Sequence, residues 1–109
     1  MKLTDLGAEF LTEATLKGHR RTDSFAEAQG IMFQCPKCFA ANNGPIGTHY
    51  VMVWFSNVAV PAPAECFPRP RWKLESGTSL ADLTLSPSIL LPGPGGCEWH
   101  GFVRGGDAS

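Results

Sequence analysis

Charge is in short supply in this chain. Of its 109 residues only 17% are Asp, Glu, Lys or Arg, and the formal net charge is −1. Proteins that hold nucleic acid by neutralising phosphates concentrate Lys and Arg, so no nucleic-acid partner is expected. The chain also lacks the low hydrophobicity and high net charge of a disordered segment, since 43% of it is hydrophobic. Long apolar runs are missing too. None approaches the ~20 residues of a membrane span, and the longest, 50–55, suits a buried strand. The first residues, MKLTDLGAEFLTEATLK, carry acids where a secretory signal needs an apolar stretch. That predicts a cytoplasmic protein without a membrane anchor.

Glycine (12) and proline (9), by contrast, are plentiful. They predict many turns, little helix and a small core, which in one domain spanning 1–109 often needs a metal or a disulfide to supplement it. The pattern predicts a mainly β, small α+β domain. Strands are expected at 9–16, 31–33, 48–55, 71–75 with Trp72 facing inward, 83–86, 88–91 and 99–103. Ser24-Phe-Ala-Glu27 has the spacing of a capping box and predicts a short helix ending at Gly30. Ser79-Leu-Ala-Asp82 predicts one further helical turn. Asn42-Asn-Gly-Pro45 reads as a turn. The stretch 60–70, with four prolines, reads as an irregular loop, 92–96 as a flexible turn, and 105–109 as a frayed tail.

Two short motifs carry the chemistry. Cys35-Pro-Lys-Cys38 is a C-x2-C and Cys97-Glu-Trp-His100 is a C-x2-H. In a reducing compartment paired cysteines serve more often as metal ligands than as disulfides. Two halves of this kind make a Cys3His set, a usual closed structural site for Zn2+. Cys35, Cys38, Cys97 and His100 are therefore the expected metal ligands. Four ligands leave no open position for water, and three thiolates blunt the Lewis acidity of the ion, so a structural role is expected rather than a catalytic one. The competing reading, a thioredoxin-like redox pair at Cys35 and Cys38, needs a strand–helix context, and 39–44 reads as too short for that helix.

The remaining reactive residues read more plainly. His49 heads the strongest strand; it is a substitute for His100 as fourth ligand or a base in a cleft, against the simpler reading of a strand-end residue satisfied by backbone. His19 stands beside Arg20 and Arg21 in a polar turn and reads as solvated. Cys66 reads as a free, small apolar residue. Asp5, Glu9, Asp82 and Glu98 form no acid–base pair that spacing reveals, so no catalytic residue is assigned.

Nearly the whole chain carries a resemblance. The segments CPKCFAANNGPIGTH (35–49), SGTSLADLTLSPS (76–88) and GCEWHGFV (96–103) resemble a family of small zinc-knuckle proteins of bacteria, phages and prophages, some bearing the label "ammonia monooxygenase". The resemblance implies that provenance and a zinc site; the reading as a whole expects a zinc-ribbon-like β-sheet domain, a host or phage protein as partner and the cytoplasm of a bacterial cell as setting. It implies no activity of its own. A thiolate-rich set selects zinc, whereas the labelled chemistry is that of a membrane-bound copper complex. The expected role is a protein-interaction or accessory module. A hydrolytic enzyme using His49 and a structural virion component are the alternatives.

Overall fold

The computed structural model describes residues 1–15, 18–57, 71–93 and 97–109. The expected loop at 60–70, Cys66 within it, the end of the first strand and most of the turn at 92–96 lie outside the described residues.

The fold is mainly β, as the pattern predicts. Its largest sheet has four antiparallel strands in the order β2-β1-β3-β4, formed by β1 (Glu9–Thr15), β2 (Gly18–Thr22), β3 (Gly30–Gln34) and β4 (Tyr50–Trp54). Strand β3 lies between β1 and β4 and is buried along its whole length. Side chains alternate across a strand, and both faces of β3 are covered by different partners. On one face Phe10, Ile31 and Val53 form a cross-strand row that packs into the main core with Leu3, Leu6, Phe33, Trp72 and Trp99. On the other, Leu11, Met32 and Trp54 make a second small cluster. Gly30 sits between Leu11 and Trp54 in that row, and a Cβ there would lie 2.9 Å from the Trp54 ring. Its missing side chain makes room for the indole.

Three two-stranded ribbons complete the structure: β5 (Lys73–Ser76) with β6 (Thr84–Ser86), β7 (Ile89–Pro92) with β8 (Glu98–Gly101), and β9 (Val103–Arg104) with β10 (Asp107–Ala108). Between β3 and β4 runs α1 (Pro36–Asn42), the α-helix of the described residues. No helix among them is long and apolar enough to cross a membrane.

Five expectations need correction. The helix over 24–30 is only a 3-10 turn, Phe25–Glu27, and the Ser24 side chain does not cap it. The sheet wins there: Gln29 N–H donates to the Leu11 carbonyl and Phe55 N–H to the Gln29 carbonyl, so the chain must already be extended where a helix would continue. The segment after the first cysteine pair is not a bare turn but α1, which Pro36 opens in its first turn and Asn43 closes in the left-handed conformation (φ 54°). At 79–82 a turn replaces the helical one, and both ends of the motif satisfy it: the Ser79 hydroxyl accepts from Ala81 N–H, and Asp82 reaches back. Its Oδ1 accepts hydrogen bonds from Thr78 N–H, Ser79 N–H and the Ser79 hydroxyl, which holds the Asp82 carboxyl below its ordinary range.

The C-terminal tail is paired, not frayed. Ala108 N–H donates to the Met1 carbonyl, Phe102 and Ser109 exchange two backbone bonds, and Ala108 is buried. The same exchange splits the expected strand at 99–103 into β8 and β9. Gly106 makes this closure possible. It has φ +78°, and a Cβ on it would run into the Ala81 carbonyl. Gly106→Ala therefore combines backbone strain with overpacking and is expected to destabilise the protein by about 1–3 kcal/mol in urea unfolding.

Candidate metal centre

Strand β3 delivers Cys35 to the end of the large sheet, where it is fully buried. Helix α1 begins there, and Cys38, three residues on, lies on the same side of its first turn. Opposite Cys35 the antiparallel ladder supplies the next side chain. The register pairs Gln34 with Tyr50, and one step further Cys35 N–H donates to the His49 carbonyl at 2.8 Å. His49 is thus the cross-strand neighbour of Cys35. The ribbon of β7 and β8 brings Cys97 in from a third direction, immediately before β8.

These four side chains converge. The Sγ atoms of Cys35, Cys38 and Cys97 and a ring nitrogen of His49 all lie within 4.8 Å of one another. Cys97 Sγ is 3.2 Å from Cys38 Sγ, 4.0 Å from Cys35 Sγ and 3.3 Å from His49 Nε2. A tetrahedral zinc ion with Zn–S near 2.3 Å and Zn–N near 2.0 Å separates its ligand atoms by about 3.6–3.8 Å, so the observed spacings bracket those of a bound ion. Among the described residues this is the group of His, Cys, Asp and Glu side chains placed to hold a metal.

The histidine is His49, and His100 is elsewhere, which corrects the expected fourth residue. The reason is strand geometry. A two-residue gap brings two side chains together in a turn or a first helical turn, as at Cys35 and Cys38. In an extended strand, residues three apart point to opposite faces. From Cys97, whose carbonyl accepts from Gly93 N–H, along β8 the chain is extended: Trp99 is buried, while Glu98 and His100 are exposed. His100 Nε2 instead meets the Ser88 hydroxyl at 3.2 Å. The signal that finds His49 is antiparallel register, which sets it level with Cys35 once β3 and β4 are paired.

The surroundings orient the cluster. His49 Nδ1 lies 3.3 Å from the Tyr50 carbonyl, the kind of partner that holds a ligating imidazole in the tautomer with its Nε2 lone pair free. The contact of His49 with Cys97 holds the Cys97 thiol below its usual range, helped by the Cys38 contact. Cys38 is pushed up to about 12, first by its hydrogen bond with Cys97 and then by burial.

Gly93 closes over the ring. A Cβ on it would lie 2.5 Å from His49 Cε1 and 2.7 Å from Nε2, while Gly93 N–H donates to the Cys97 carbonyl. Gly93→Ala must push the imidazole aside. It is expected to weaken metal binding about 10–100-fold, the range seen when groups that position ligands are disturbed, in a chelator-competition titration.

His19 is not simply solvated, since its ring meets that of Trp54 edge-on at 5.7 Å. Comparison with family models, with curated proteins and with solved structures finds nothing that matches this chain.

Proposed function

We propose that this chain is a zinc-binding protein whose single ion, held by Cys35, Cys38, His49 and Cys97, organises a small protein-interaction or accessory module. The observation that supports it is the convergence of the four side chains from three separate directions: the β3–α1 junction, the start of β4 and the start of β8. Three sulfurs and one imidazole nitrogen form a soft set that selects zinc over oxygen-seeking cations. With four ligands the shell is closed, so the ion contributes folding energy rather than a reactive water.

An interaction role has support beside the site. Ile46 in the connection to β4, and Tyr50 and Met52 on β4, are exposed large apolar residues; Ile46 is 89% accessible. The phage-type provenance, the cytoplasmic setting and a host or phage protein as partner belong to the same reading and follow from the resemblance of 35–49 and 96–103. A hydrolytic role for His49 is less well supported, because that imidazole is turned to the thiols. Metal analysis of purified protein tests the reading: one zinc per chain is expected, and a protein free of stoichiometric zinc overturns it. Affinity capture from phage-infected cells, with Tyr50 and Met52 replaced in the control, tests the interaction role.

A further inference from the structure

We infer that the metal centre is also a peroxide-sensitive thiol switch, in which Cys38 and Cys97 join in a disulfide across the two halves of the site. The inference rests on the zinc reading for its resting state. Its own support is the arrangement of the sulfurs.

A C-x2-C pair would ordinarily be the first to close on itself. Here Cys97 is the central sulfur, and its partner at 3.2 Å is Cys38, while Cys35 stands at 4.0 Å. Exposure points the same way. Cys35 is fully buried, whereas Cys38 and Cys97 are half-buried and open to a small oxidant. An S–S bond near 2.05 Å requires these two sulfurs to close by only about 1.2 Å.

The oxidant is hydrogen peroxide, a two-electron oxidant. The Cys97 thiolate attacks one peroxide oxygen: an S–O bond forms, the O–O bond breaks and hydroxide leaves. The Cys38 thiolate then attacks the Cys97 sulfur: the S–S bond forms, the S–O bond breaks and a second hydroxide leaves. Two protons from solvent turn both hydroxides into water. Two thiolates become one disulfide, and one peroxide becomes two waters.

The consequences differ from those of a disulfide within the C-x2-C. A Cys35–Cys38 bond would free the ion and leave β8 untethered. A Cys38–Cys97 bond also removes two of the four ligands and releases the ion, but it ties α1 to the start of β8 by a covalent link in the ion's place. The oxidised protein therefore keeps its fold while Cys35 and His49 are left without an ion between them. The switch changes the chemistry at the end of the large sheet and preserves the architecture.

The test is peptide mapping by mass spectrometry after one equivalent of hydrogen peroxide, in a Cys66→Ser background so that three thiols remain. It is run on zinc-loaded protein with a chromogenic chelator reporting release, and in parallel on metal-stripped protein. The expected result is one zinc released per disulfide formed, with the Cys38–Cys97 cross-link at least ~10-fold more abundant than Cys35–Cys38. Cys35→Ser should still form it and Cys38→Ser should not. A dominant Cys35–Cys38 link overturns the inference, as does zinc that stays bound while both thiols remain reduced. A chain that binds no zinc yet closes Cys38–Cys97 overturns the metal reading and leaves the pairing standing. One that binds zinc and closes Cys35–Cys38 does the reverse.

Discussion

Replacing His49 with alanine is expected to abolish the proposed zinc binding and much of the stability, while replacing His100 leaves both nearly unchanged. His49 Nε2 lies 3.3 Å from Cys97 Sγ within the four-ligand cluster. His100 faces outward, against the Ser88 hydroxyl. Binding to the folded state alone stabilises it by RT ln(1 + [L]/Kd), about 4 kcal/mol when free ion exceeds Kd 1,000-fold. Total stabilities are only about 5–15 kcal/mol. At ~4–8 °C per kcal/mol for a domain of roughly this length, His49→Ala should lower the melting temperature by about 15–30 °C at saturating zinc. An excess of chelator should do the same to the native chain. His100→Ala, an exposed substitution, should stay within about 0.5 kcal/mol. Zinc per chain and thermal melts with and without chelator decide the matter. If His100→Ala loses the ion and His49→Ala keeps it, the pairing given to β3 and β4 is wrong.

The contrast between those histidines shows what the sequence carries. Motif spacing is local information, and it placed three cysteines without needing a fold. The strands were legible for the same reason: the apolar runs at 50–55 and 31–33 are short-range patterns. His49 was recognisable only as an alternative, because nothing local sets it beside Cys35. That placement depends on a register in which Gln34 meets Tyr50 and Met32 meets Met52, which is decided by two buried faces at once. The C-x2-H spacing misled for a complementary reason. It presumes a turn, and β8 is extended because Leu90 and Leu91 pair with His100 and Trp99.

The missed helix and the missing one follow a similar logic. Residues 25–29 have good helical propensity, yet Ala28 is buried in the main core and Gln29 is claimed by ladder bonds on both sides. Propensity worth a few tenths of a kcal/mol per residue does not overcome that. At 36–42, Pro36 is well suited to a first turn and Ala40 and Ala41 to a helix interior. Reading Asn42-Asn-Gly-Pro45 as the dominant signal hid a helix that ends at that turn. With α1 in place, Cys35 and Cys38 do stand at a strand–helix junction, the context a redox pair requires. What separates this site from a simple dithiol is the arrival of Cys97 and His49 from two other elements.

Those arrivals depend on packing as much as on the ion, and Trp99 is where the two meet. It is 5% exposed, and its ring stands edge-on to Phe33 at 5.5 Å and 88°, tying β8 to the centre of the large sheet two residues beyond Cys97. Gly101 accommodates it, since a Cβ there would lie 2.6 Å from the indole. Trp99→Ala removes a large buried ring and leaves a cavity against Phe33, which should cost about 3–5 kcal/mol. Trp99→Phe should cost less, because an aromatic edge remains for Phe33 to meet. The informative measurement is the coupling between packing and metal. If Trp99 only fills space, its cost in urea unfolding is the same with zinc and with chelator. If it also holds Cys97 in reach of the ion, Trp99→Ala weakens zinc binding too, and the costs of removing the ring and the metal do not add. The geometry favours coupling: β8 approaches Cys35 and Cys38 where Trp99 leans on Phe33, and Phe33, on β3, is two residues before Cys35. The ion and the aromatic pair then act as adjacent clasps on one seam, and opening either should loosen the other.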